Sequence, residues 1–137
     1  MSEKQHPSNP WPPGVPRPGE HLWPRGAVSW LDDTFPGNHW RWRILAADHP
    51  WMLTVVIAAQ LRGDIELLRE QYRITARRWG HLLPPPVARR LLAATAEEGR
   101  RLQRMLEYVL ALEHALSPTR PELKPEPTRD GDVQAAP

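Results

Sequence analysis

The sequence predicts an all-α chain: an antiparallel helical hairpin of two long helices, with a Trp-rich N-terminal arm of short helices and proline-rich disordered tails. Three observations predict it. The first is the placement of proline, which makes up 17 of 137 residues. Seven prolines lie from Pro7 to Pro24, three form Pro84-Pro85-Pro86 and five stand at Pro118 or beyond. Residues 51–83 and 87–117 hold none, and proline is the residue a helix interior tolerates least. The second is a heptad seam in the first gap: Trp51, Ala58, Ile65, Tyr72 and Trp79 alternate with Thr54, Leu61, Leu68, Thr75 and Leu82, apolar at all but the two threonines. The third is an apolar line in the second gap, through Val87, Leu91, Ala94, Leu102, Met105, Val109, Leu112 and Leu116.

Residues 1–27 read as a leader. Pro7, Pro10, Pro13 and Pro16 recur every third residue, which lines prolines along one edge of a polyproline II helix. Such a leader is either a flexible extension or a tether anchored by Trp11 and Trp23, on a partner or on the chain's own helices. Residues 28–117 form the helical domain. Its arm predicts a short turn of helix capped by Ser29 with Asp32 and Asp33 in the first turn, ended by Phe35-Pro36-Gly37. A second piece, His39 to Ala47, is capped by Asn38 and aligns Trp40, Ile44 and Ala47 on one face. Asp48 is the expected N-cap of the first long helix and Pro50 fits its first turn. The run Trp51 to Ala59 is apolar all round, so Trp30, Phe35, Trp40 and Trp42 are expected to cover it. Gly80 marks the stop, residues 82–86 the turn, and Pro85 or Pro86 the opening of the second helix. That helix ends before Pro118, and Gly99 marks a weak or closely packed middle. Residues 118–137 are polar and proline-rich and read as a disordered tail.

Composition bounds the function. There is no cysteine, which excludes disulfides and thiol or Cys-based metal chemistry. No apolar run approaches the ~20 residues of a membrane span, and the first ten residues are polar; a cytoplasmic, soluble protein is expected, with no membrane partner. The basic residues are 16 Arg and 2 Lys, and abundant Arg, Ala and Pro point to a GC-rich bacterium or its phage. There is no Gly-rich phosphate loop, no GxSxG, no HExxH and no His pair at i, i+4. Glu107 and Glu113 lack the His at i+3 that di-metal bundles use. No enzyme, cofactor, metal site or small-molecule substrate is expected.

The strongest local signal is charge. From Gln71 to Ala96 there is no acidic residue, while Arg73, Arg77, Arg78, His81, Arg89 and Arg90 all fall inside. A hairpin gathers these at its tip. Arginine forks suit phosphate and the neighbouring Tyr72 and Trp79 suit base stacking. Five arginines on phosphates give a salt slope of about −4.5, roughly a 500-fold loss of affinity from 50 to 200 mM salt. The same cluster fits an acidic protein, or is a solvated end. The plain reading has a gap: cations are favoured at a helix C-terminus, as at Arg77 and Arg78, but not at the N-terminus, as at Arg89 and Arg90. Trp40-Arg41-Trp42-Arg43 reads as a stacking surface, or more plainly as packing under the long helix. Two helices alone make a marginal core, so an oligomer or a complex is expected. The expected function is a small non-enzymatic interaction or assembly protein that binds itself or another protein through the seam and the aromatics Trp11, Trp23, Trp40 and Trp42. The alternatives are nucleic-acid binding at the tip and a structural component of a phage or mobile element.

Overall fold

The computed structural model describes residues 10–36 and 48–118, and every regular element among them is helical. Helix α1 spans Arg25–Thr34, α2 spans Pro50–Arg77 and α3 spans Pro85–Leu116. A single 3₁₀ turn, Trp79–His81, stands between α2 and α3. The two long helices have 28 and 32 residues, so they run about 42 and 48 Å at 1.5 Å per residue, and they pack against each other.

The seam of α2 is buried at Thr54, Ala58, Leu61, Ile65 and Thr75 as the heptad predicts. Leu53 and Ile57 are buried too, although they lie off the heptad positions, because a third layer covers them. Ala27 and Leu31 of α1 are fully buried and join Leu53, Ile57, Leu61, Val109 and Leu112 in one hydrophobic cluster. Trp30 and Phe35 pack against this cluster. The core therefore sits where α1 crosses the N-terminal half of α2 and the C-terminal half of α3. The predicted seam fails at the other end, where Tyr72, Trp79 and Leu82 are exposed.

The predicted line on α3 also divides. Leu102, Val109 and Leu112 are buried, but Val87, Leu91 and Ala94 face outwards. The inward face of the N-terminal half is instead Ala88, Leu92, Thr95 and Gly99. These continue through Leu102, Leu106 and Val109 with unbroken alternating steps of four and three, the repeat a helix seam requires. The predicted line took the larger side chains at the cost of an eight-residue gap between Ala94 and Leu102. Gly99 is not closely packed: a Cβ there meets nothing within 4 Å.

Element ends differ in detail. Ser29 lies inside α1 rather than capping it, and the N-cap is Pro24. Asp32 and Asp33 therefore fall in the last turn, where the helix dipole disfavours them. Asp48 is not the cap of α2: His49 holds that position with no side-chain hydrogen bond, and Pro50 opens the helix. Thr54 instead donates its hydroxyl to the Trp51 carbonyl within the first turn. The α-helix stops at Arg77, before Gly80. The run of three prolines behaves as expected, with Pro84 extended at the N-cap and Pro85 and Pro86 in the first turn of α3.

Leader residues 10–24 pack on the chain's own helices. Val15 is buried in the core, and Trp11 and Trp23 lie against it. The predicted helix from His39 to Ala47, with Trp40 and Trp42, lies outside the described residues, as does most of the tail.

Candidate functional site

The connection between α2 and α3 is short and hydrogen-bonded. Arg78 donates its backbone N–H to the Ile74 carbonyl at 2.8 Å, and Leu82 and Leu83 donate theirs to the Trp79 carbonyl at 2.9 and 3.0 Å. This fixes one end of the helical pair, and it is the basic end. Arg73, Arg77, Arg78, His81, Arg89 and Arg90 are all exposed within about two helical turns of the connection.

These cations are not equivalent. Arg73 pairs with Glu70, in a pattern used three times elsewhere on the rod. Arg69 meets Glu66 at 2.6 Å, and Arg100 and Arg101 meet Glu97 and Glu98 at 2.8 Å each. In every case the acid stands three residues before the arginine. The Arg100 guanidinium, by hydrogen bond and then by charge, holds the Glu97 carboxyl below its ordinary range. Arg101 does the same for Glu98 by hydrogen bond, against a small opposing effect of burial. The acid-free window denies such a partner to Arg77, Arg78, Arg89 and Arg90, and none of them makes an ion pair among the described residues.

Beside these cations the chain exposes large apolar groups: Trp79 is 49% exposed, Leu82 78%, Val87 39% and Leu91 37%. The exposure of the last two has a definite cause. Eighteen residues make five turns of an α-helix, so side chains eighteen apart point the same way. Leu91 is thus aligned with Val109, Val87 with Met105 and Ala94 with Leu112. Val109 and Leu112 are fully buried. One apolar row therefore runs along α3, buried in its C-terminal half within the cluster that Ala27 and Leu31 of α1 join, and exposed in its N-terminal half.

The predicted aromatic anchors are elsewhere. Trp11 donates its indole N–H to the Val15 carbonyl at 2.9 Å. The Arg17 guanidinium carbon lies 4.9 Å above the Trp11 ring, and the Trp11 and Trp23 rings stand 5.8 Å apart. Trp30 meets Phe35 and Tyr108 edge-on at 5.7 and 6.3 Å. Trp11 and Trp23 are thus part of the chain's own packing and are not brought to the basic end, while Trp40 and Trp42 are outside the described residues. Open clefts accompany the helices, two of them between separate elements. One, of about 320 Å³, lies between Ile65, Leu68 and Tyr72 on α2 and Thr95, Gly99 and Gln103 on α3. The other, of about 660 Å³, lies between the leader at Trp11 and Arg17 and α3 at Glu107 and His114. No group of three His, Asp or Glu able to hold a metal ion occurs among the described residues. Among them, too, no helix is long and apolar enough to cross a membrane.

Sequence reasoning missed the uncovered stripe, because it assigned Val87, Leu91 and Ala94 to the hairpin interior. The signal was available: the small residues Ala88, Thr95 and Gly99 hold the strict heptad, which leaves the larger ones outside. No protein family matches the chain, and no curated protein or solved structure matches it either.

Proposed function

We propose that this protein is a non-enzymatic association module: an antiparallel helical hairpin, braced by its Trp-rich arm, that binds a protein partner with its basic end. The observation that supports this is the company of exposed Trp79, Leu82, Val87 and Leu91 with Arg77, Arg78, Arg89 and Arg90, which make no ion pair among the described residues. Trp and Arg are the residues that most often carry binding energy at interfaces. A contiguous apolar patch on a small protein marks a partner site. The arm aromatics already have partners within the chain, which shifts the reading from arm and seam to the tip.

A photo-crosslinking residue at Leu82 tests it. In lysate of the source organism it should yield a defined protein adduct, whereas the same residue at His114, at the opposite end, should not. Trp79→Ser with an intact helical spectrum should abolish the adduct. Equal labelling from both ends would sink the proposal.

The second reading is nucleic-acid binding through Arg77, Arg78, Arg89 and Arg90, favoured by their making no ion pair among the described residues. With Arg73 engaged by Glu70, four phosphate contacts remain. The salt slope is then about −3.6, and affinity falls roughly 150-fold from 50 to 200 mM salt. Fluorescence anisotropy with single-stranded DNA, duplex DNA and RNA at both salt levels decides it, and no binding at 50 mM removes this reading.

A further inference from the structure

Resting on the association reading above, we propose that the element the tip receives is an acidic amphipathic α-helix of about three turns. It is seated on the uncovered stripe in the place that α1 occupies five turns away. The apolar row runs from Val87 to Ala94, and Glu98, paired with Arg101, closes its far end; the span from Val87 to Glu98 is about 17 Å at 1.5 Å per residue, which sets that length. Its groups repeat the platform on which α1 rests: Leu91 stands for Val109 and Ala94 for Leu112.

The edges of the stripe identify the charge of the occupant. On the covered half, α1 is flanked on α3 by Tyr108, which meets Trp30, and on α2 by Gln60, which shares a recess with Phe35 and Pro36. Five turns from Tyr108 stands Arg90, and five turns from Gln60 stands Arg78, still in helical conformation. A helix lying on the uncovered half therefore meets, along each edge, an arginine that makes no ion pair among the described residues. By the same rule Arg77 and Arg89 stand over Ala59 and Glu107, away from α1, and Glu107 belongs to the leader side of α3.

Charge excludes the nearest competing occupants. Residues 37–47 carry Arg41 and Arg43 and no acid. A second copy placed stripe to stripe sets Arg78 and Arg90 against their own kind, and like charges in apposition are costly. The tail carries acids, but between Pro118 and Ala135 its only aliphatic side chains are Leu123 and Val133, ten residues apart, so its sequence offers no apolar stripe. An apolar stripe with Asp or Glu on both flanks satisfies the surface on all counts, by the helix-in-groove mode of recognition.

The test uses the full chain and a fluorescein-labelled, helix-stapled peptide of three turns with Leu at i, i+4 and i+7 and Glu on both flanks. A counterpart with Lys for Glu is the control. The Glu peptide should bind saturably and the Lys peptide should not. Leu91→Asp should weaken binding roughly 30-fold, the scale of a hot-spot loss. The double variant R78E/R90E should weaken it about tenfold and admit the Lys peptide, whereas R77E/R89E should change it by less than about twofold. Failure of the Glu peptide to bind a normally folded chain overturns the proposal. So does equal weakening by the two charge pairs, which means unspecific polyanion binding, and so does a dimer that Leu91→Asp converts to a monomer, which means a second copy covers the stripe. If the peptide fails while the Leu82 adduct persists, the acidic helix is wrong and the association reading stands; if both fail, both fall.

Discussion

Leu31→Ala tests whether α1 is an integral third layer or a loosely attached arm. Leu31 is fully buried among residues of all three helices. Truncation removes three carbons at about 0.8 kcal/mol each, or about 2.4 kcal/mol of transfer free energy. A partly collapsed cavity adds about 1 kcal/mol, for a total of about 3 kcal/mol. With a urea m-value of about 1.5 kcal/mol per M, the midpoint falls by about 2 M. Helix content by circular dichroism and tryptophan fluorescence should both be followed, because Trp11, Trp23 and Trp30 all report on the arm. If α1 is integral, both signals move together. Leu91→Ala is the contrast. Leu91 is 37% exposed and water fills the space it leaves, so it should cost no more than about 1 kcal/mol. A cost below about 1 kcal/mol for Leu31→Ala would refute the reasoning, as would a fluorescence change that precedes helix loss. Either result reduces α1 to a tether.

Gly26, Gly63 and Gly99, the α-helical glycines among the described residues, should respond with different signs. Gly63 and Gly99 have open space around the built Cβ, so Gly63→Ala and Gly99→Ala should each stabilise by about 0.5–1 kcal/mol in urea titration. Gly26→Ala places Cβ 2.5 Å from the Pro16 ring and should destabilise by about 1–3 kcal/mol while loosening the leader, read as faster proteolysis before residue 25. The depressed carboxyls of Glu97 and Glu98 set a pH dependence. A carboxyl held below its ordinary 4.5 binds fewer protons in the folded state, so its contribution is complete above that value and is lost as pH falls through the folded value. Thermal melts should therefore show Glu98→Gln costing a few tenths of a kcal/mol at pH 7, as expected for an exposed pair, and progressively less as pH falls below 4.5. A cost that persists in acid would assign the effect to packing instead.

The ends of α3 were legible in the sequence, because Pro84–Pro86 and Pro118 act through local sterics alone. The exposed arginines beside the connection were legible for a related reason: ion pairs along a helix reach only three or four residues, so an acid-free window leaves Arg77, Arg78, Arg89 and Arg90 with no carboxylate within reach on their own helix. Only the tertiary structure decided which apolar stripe of α3 is covered. Val87, Leu91 and Ala94 are chemically as fit for a core as Met105, Val109 and Leu112. What separates them is that α1 ends at Thr34, beside the middle of α2, and no other helix among the described residues lies further along. The leader followed the same logic. A tryptophan in a proline-rich run is equally able to seek a foreign surface or its own chain, and Trp11 found its partners in Val15, Arg17 and Trp23. Sequence spacing determines which side chains share a face, but whether that face meets water or another helix depends on where a distant part of the chain comes to rest.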